Sequence, residues 1–456
     1  MTISPPFRSY LADRILWLRR HPYHRAFLTT LWVLGNVIAV IRFIIRLLTI
    51  GQICKRRTVA QILAEAEAAA ESSDYGEPGE REVHEEALRV MLPAFQEWLP
   101  YGPLNRFSPK LATKLQVVAH LRRHPSIASA PVSRPVFIIS LPRAGSTLLH
   151  NLLALDEGAR AMRAWELRRP LPPPTAGSFS SDPRVEQLAG EMRAGYALHP
   201  LIAAIHNVAA DAPDECVQGY FPDYAFPTFS WGAEGMDAAF EWYTSSSMEG
   251  QFVDYKRVLQ LLCSEVGAGC THTVLKAPHH LFHLRTIAKV FPDAAFIWLH
   301  RRPRDVVRSC CLMNLHVHEY TSAAFEAPRA IGQRTLDRLA AAVRAASEAR
   351  EELEQQPPVG AAARRATQFV DVYYDDLKAD PTRVVEKIYD ELGLEWRADP
   401  VGGAIAQHIA ADEAARGAEA RRLPPRQNLS LCEFGIGAGD VDTAFGDYLR
   451  RHLRVV

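Results

Sequence analysis

The sequence predicts an α/β fold, a mostly parallel sheet flanked by helices, with an N-terminal helical extension. Two observations carry this. Three short runs, PVFIIS (135–140), TVLK (273–276) and AAFIWLH (294–300), are continuous and apolar, as suits strands buried on both faces, and QFVDVYY (368–374) reads as a fourth strand. Helix-patterned segments lie between them, and strand–helix–strand order implies parallel pairing through right-handed crossovers. A chain of 456 residues suits one large α/β domain with appendages.

Three regions follow from the pattern: a basic, apolar segment 1–57, a helical region 58–130, and an α/β domain 131–456. In the first, ten Lys/Arg stand against Asp13 alone, so it carries +9; with a formal net charge of zero for the chain, the remainder carries −9. That asymmetry points to a surface partner for the N-terminal part. The run FLTTLWVLGNVIAVIRFIIRLLTIGQIC (27–54) has an uncharged stretch, 27–41, of only 15 residues, short of the ~20 that span a bilayer. Arg42 and Arg46 are one helical turn apart on an otherwise apolar helix. The reading is an in-plane membrane anchor with its cations toward anionic headgroups; a buried core helix and a spanning helix are the alternatives. No signal-peptide cleavage site follows the run, so the expected location is cytoplasmic, peripheral on the cytoplasmic face of the membrane.

Region 58–130 reads as an Ala/Glu helix, a loop around Gly76, Pro78 and Gly79, and further helices broken at Pro103 and Pro109. In the third region, RRPLPPPTAGSFSSDP (168–183) is a Pro/Ser loop. HHLFHLRTIAKVF has helical spacing, a helix is expected after Asp305, and DPTRVVEKIYDELGL is a helix begun at Asp380-Pro381 and stopped at Gly393. Seven cysteines without C-x-x-C spacing give no disulfide or zinc framework, and a reducing setting fits.

Chemistry concentrates in two places. After PVFIIS comes LPRAGSTLL, where a glycine-bearing turn leads into a helix. A helix N-terminus offers free backbone N–H groups and a positive dipole end, a setting for phosphate or sulfate. Gly145 permits close approach, Ser146 and Thr147 add hydroxyls, and Arg143 adds a forked cation. This is not a Walker A loop, because the cation precedes the glycine and no strand ends in a metal-binding aspartate; no metal is expected. A simple helix cap is the bland alternative. The second place is HRRPRDVVRS, with Arg301, Arg302 and Arg304 at a strand's C-terminal end and Ser309 in the helix that follows. Ligands of open α/β sheets bind beyond the carboxyl ends of strands, so both anion sites could face one crevice and hold a nucleotide with phosphates at two positions. The alternative is a solvated basic loop.

Together LPRAGSTLL and HRRPRDVVRS resemble the sulfotransferases that use 3′-phosphoadenosine-5′-phosphosulfate (PAPS). The first is similar to their 5′-phosphosulfate loop, and the second to their 3′-phosphate element, here Arg301, Pro303, Asp305 and Ser309. VLKAPHHLFHLRTIAKVFPDAAFIWLHRRP, VYYDDLKADPTRVVEKIYDELGL, NLSLCEFGI and VDTAFGDYLRR resemble the bacterial branch, so the resemblance covers roughly 130–450. It implies a P-loop-like sulfotransferase fold, PAPS as co-substrate, and sulfuryl transfer to an acceptor hydroxyl or, less readily, an amine. Donor contacts are then expected from Arg143, Ala144, Gly145, Ser146, Thr147, Arg301 and Ser309, with Arg143 and Lys276 stabilising charge. For the base, Glu166 in RAWELRRP resembles the glutamate of tyrosylprotein sulfotransferases, while His280 in LKAPHH matches a histidine of the bacterial branch. Glu166 is preferred, His279 is a third option, and a salt bridge from Glu166 to Arg168 or Arg169 is the competing reading. Asp214 and Glu215 are read as capping a helix, with a place by the acceptor as the alternative. The aromatic tract GYFPDYAFPTFSW (219–231) and the membrane-adsorbed N-terminus favour a lipophilic hydroxylated acceptor. No nucleic-acid partner is expected. Rival functions are an ATP-dependent P-loop kinase or NTPase, and an inactive membrane adaptor with the same fold.

Overall fold

The computed structural model describes residues 57–98, 107–198, 208–219, 236–267, 269–321, 328–355, 368–396, 401–420 and 429–453. The readings of segment 27–54, of Pro103 and of the aromatic tract beyond Gly219 lie outside the described residues. Among the described residues no helix is long and apolar enough to cross a membrane.

Five strands form one parallel sheet: β1 (Pro135–Ser140), β2 (Ala159–Ala161), β3 (His272–Lys276), β4 (Ala295–His300) and β5 (Gln368–Tyr373). Their spatial order is β2-β3-β1-β4-β5. Every residue of β1 is buried because its alternate side chains enter two different cores. Phe137 and Ile139 pack with Leu275, Phe296 and Trp298; Val136 and Ile138 pack with Val274, Ile297, Leu299, Val370 and Val372. That two-sided burial is why β1, β3 and β4 read as continuous apolar runs. Ile138 is level with Lys276 on one side and Ile297 on the other, so β1, β3 and β4 end along one rim.

The helices named below, in chain order, are α1 (Val59–Ala70), α2 (Glu80–Trp98), α3 (Phe107–Arg123), α4 (Ser146–Leu153), α5 (Ala164–Arg168), α6 (Glu249–Cys263), α7 (Pro303–Thr321), α8 (Pro328–Gln355), α9 (Tyr374–Ala379), α10 (Pro381–Leu392) and α11 (Gly446–His452). Helix α10 has the ends its sequence announces: the Asp380 side chain accepts from the Arg383 amide, Pro381 sits in the first turn, and Gly393 takes φ 60°.

Four details differ from the sequence reading. Pro109 lies inside the first turn of α3, where a missing N–H leaves no bond unmade, so it breaks nothing. The helix expected after Asp305 starts earlier, at Pro303. The fourth predicted strand ends at Tyr373, and Tyr374 opens α9. Strand β2 was not expected, since three residues are too few to show a period.

Helices α1–α3 share their own apolar cluster, including Leu63, Leu88, Met91, Leu111 and Leu115. They meet the rest of the fold at α6, where Val117 and Leu121 pack on Leu261. Charge fastens the same contact: Arg257 donates to both Glu80 oxygens at 2.6 and 2.9 Å.

Candidate functional site

The turn between β1 and α4 is the centre of the site. Gly145 has φ 100°, open to glycine and strained for other residues, and a Cβ there would lie 2.8 and 2.9 Å from Tyr374 ring carbons. Arg143 is also left-handed, at φ 66°, an uncommon state for a residue with a long side chain. Both bends turn the segment sharply from the strand into the first turn of α4, where Ser146 is buried and Thr147 is exposed.

The turn after β4 meets it. Arg301 donates from Nη1 to the Arg143 carbonyl at 2.6 Å, and Arg143 donates from Nε to Ser309 Oγ at 3.2 Å. The Arg301 guanidinium also lies 4.2 Å from the centre of the Tyr374 ring, a cation–π contact. Its Nε is buried with no hydrogen-bond partner among the described residues. Thus Arg143, Gly145, Arg301 and Ser309, taken from two distant stretches, form one cationic rim together with Tyr374. Tyr374 escaped the sequence reading because it looked like the last residue of a strand. Arg302 and Arg304 turn outward to pair with Asp375 and Asp442.

Lys276 closes the other side. It ends β3 on the face covered by α4, its side chain is 2% exposed, and Nζ donates to Glu215 Oε1 at 2.9 Å and lies 3.5 Å from Thr147 Oγ1. Glu215 precedes the short 3-10 helix Cys216–Gly219, with its amide held by the Asp214 carboxylate at 2.7 Å. Asp214 and Glu215 therefore do stand at a helix start, but the Glu215 carboxylate goes to the lysine beside the anion turn. Sixty-one residues separate the pair in sequence, and no local pattern marks it.

Glu166 is placed differently. It is fully buried; Oε2 accepts from Arg160 Nη1 at 3.1 Å and from the Arg163 amide at 2.9 Å, and Oε1 accepts from Arg160 Nη2. The salt bridge foreseen as the competing reading exists, with Arg160 as partner in place of Arg168 or Arg169. Arg160 in turn donates to the Leu262 carbonyl at 3.0 Å, joining β2 to α6. His280 is fully buried and meets Phe137 edge-on at 5.1 Å. Burial, then His279 and His283, push its imidazole down to about 3, with Glu215 and Lys276 acting on it in opposite senses. His279 is buried edge-on to Tyr243 at 5.9 Å. His150, one turn beyond Ser146 on α4, was not singled out; burial and Lys276 push it down to about 3.

Comparison with known proteins bears on the family and the fold. Residues 135–398, more than half of the chain, match the model of the sulfotransferase family. The chain is 27% identical over 268 residues to the omega-hydroxy-beta-dihydromenaquinone-9 sulfotransferases Stf3 of Mycobacterium tuberculosis and Mycobacterium bovis. The match covers 57% of this chain and 63% of each relative, so the chain spans somewhat under two thirds of their length. Among solved structures, sulfotransferase STF1 from Mycobacterium tuberculosis aligns with TM-score 0.69 at 24% identity, covering 86% of this chain and 99% of that one. Sulfotransferase STF9 from Mycobacterium avium aligns with TM-score 0.65 at 22% identity, covering 86% and 96%. Both likenesses establish the fold.

Proposed function

This chain belongs to the sulfotransferase family, and from that membership we propose that it transfers a sulfuryl group from PAPS to the hydroxyl of a lipophilic acceptor. The observation that carries the reading is the meeting of Arg143, Gly145, Arg301 and Ser309 at one rim of the sheet. A donor with a phosphosulfate at one end and a 3′-phosphate at the other needs two anion sites within one molecule's length. The residues present suit it: Arg301 has a buried Nε to spare, and Gly145 leaves backbone room beside α4.

In this reading Arg143, Ser146, Thr147 and the amides of residues 145–147 hold the phosphosulfate end, and Arg301 and Ser309 the 3′-phosphate. Ala144, buried beneath, keeps the turn seated. Glu215 takes the role of base that the sequence reading gave to Glu166, because the Glu166 carboxylate ties Arg160 of β2 to the start of α5, whereas Glu215 is paired with Lys276, whose Nζ lies 3.5 Å from Thr147 Oγ1 of the anion turn. As the acceptor oxygen bonds to sulfur, its proton passes to Glu215. The electron pair of the breaking S–O bond stays on the leaving 5′-phosphate, where Lys276 and Arg143 would stabilise it. His280, kept neutral, lines the wall near the pair.

The acceptor class rests on two supports. The two Mycobacterium relatives are named for a hydroxylated menaquinone derivative, and the apolar and basic composition of segment 27–54 supports a position on the cytoplasmic face of the membrane. Purified full-length chain, given sulfur-labelled PAPS and a hydroxylated menaquinone in micelles, should yield label that extracts into organic solvent. Label that reaches only water-soluble phenols would overturn the acceptor class. Liposome flotation with and without residues 1–57 tests the anchor, and equal recovery of both would remove it.

A further inference from the structure

Directly behind the rim, His300 ends β4 with its side chain fully buried and both ring nitrogens engaged. Nε2 lies 2.9 Å from Asp371 Oδ1 on β5, and Nδ1 lies 2.8 Å from the Tyr448 hydroxyl on α11. Asp371 also receives Arg350 of α8 at 2.7 and 3.1 Å. Burial pushes the Asp371 carboxyl up, but His300 and Arg350 outweigh it and hold it below the usual carboxylate range. An ionised carboxylate only accepts, so Nε2 carries the proton and Nδ1 is left to accept from Tyr448. Burial holds the imidazole neutral, consistent with one donor and one acceptor.

The consequence lies just beyond the ends of the two strands. The peptide after His300 is Arg301, and two and three residues after Asp371 come Tyr373 and Tyr374. The Arg301 guanidinium lies 4.2 Å from the centre of the Tyr374 ring on the rim, and Arg301 in turn donates to the Arg143 carbonyl. We infer that His300 is a positioning residue: by joining β4, β5 and the C-terminal helix α11 through Asp371 and Tyr448, it fixes Arg301 where the donor's 3′-phosphate is read. This rests on the donor reading given above. It also gives the C-terminal helix α11 a part in holding the rim.

The test compares binding of adenosine 3′,5′-bisphosphate with that of adenosine 5′-phosphate, by calorimetry on the full-length chain and on His300→Gln and Tyr448→Phe. Tyr448→Phe keeps the ring and removes only the hydroxyl, so it guards against a variant that fails to fold. The ratio of the two affinities isolates the 3′-phosphate. Both variants should shrink that ratio about three- to tenfold, the weight of one hydrogen bond, while affinity for adenosine 5′-phosphate stays within twofold. Equal weakening of both nucleotides, or an unchanged ratio in both variants, would assign His300 a purely structural part and overturn the inference. If the parent chain itself shows no preference for the bisphosphate, the donor reading fails, and this inference with it.

Discussion

Arg301 donates from Nη1 to the carbonyl oxygen of Arg143 across 2.6 Å, so the turn after β4 holds the turn after β1. The bond uses one nitrogen of a five-donor fork and leaves others for an anion. Arg301→Lys keeps the charge but loses the fork. Affinity for adenosine 3′,5′-bisphosphate should fall about 10- to 100-fold by calorimetry, in line with a charge-assisted bond.

Gly145→Ala tests the cradle. The new methyl would occupy a left-handed φ of 100° and press on Tyr374 carbons at 2.8 Å. Denaturant unfolding should show a loss of about 1–3 kcal/mol, with bisphosphate binding abolished. Gly145→Ala,Tyr374→Ala should recover only part of that stability, because the left-handed φ remains strained for alanine, and should not recover binding.

Two glutamates should fail in different ways. Glu215→Gln keeps its shape and removes the proton acceptor beside Lys276, so turnover of the folded molecules should drop about 10²–10⁴-fold, beyond the stability lost by leaving the buried Lys276 against a neutral amide. Glu166→Gln leaves the Arg160 guanidinium buried against a neutral group, and should cost about 3 kcal/mol or more in stability while folded molecules keep their turnover. The reverse pattern would return the base to Glu166.

Stability should fall on acidification before the carboxylates titrate. His150, His280 and His283 are each pushed down to about 3 by burial, against 6.5 in the unfolded chain. Between those values the unfolded state binds more protons than the fold, so lowering the pH from 6.5 favours unfolding and raising it above 6.5 adds nothing from these groups. Each contributes at most about 1.4 kcal/mol per pH unit, read as the slope of unfolding free energy against pH. His150→Gln should flatten that slope; an identical slope would place His150 in a wetter setting than the fold implies.

The sheet was readable because burial on both faces leaves an apolar run, as in PVFIIS, and because Asp380, Pro381 and Gly393 mark helix ends by local chemistry. The anion turn was readable for the same reason: glycine, hydroxyls and a cation sit within five residues. The pair Lys276–Glu215 was not, since it is made by β3 and a loop 61 residues apart. Glu166 misled because its partner, Arg160, lies on a three-residue strand with no period to reveal it. Tyr374 was hidden by the strand-to-helix switch, which β-prone aromatics on both sides of it disguise.

The central claim is that one adenosine-based donor bridges the Arg143 and Arg301 sites. Thermal unfolding of the full-length chain in EDTA, titrated with adenosine 3′,5′-bisphosphate and compared with ATP–Mg²⁺ in a metal-containing buffer, tests it most directly. A melting temperature that climbs with the bisphosphate alone is the predicted result; a climb only with ATP–Mg²⁺ would contradict it.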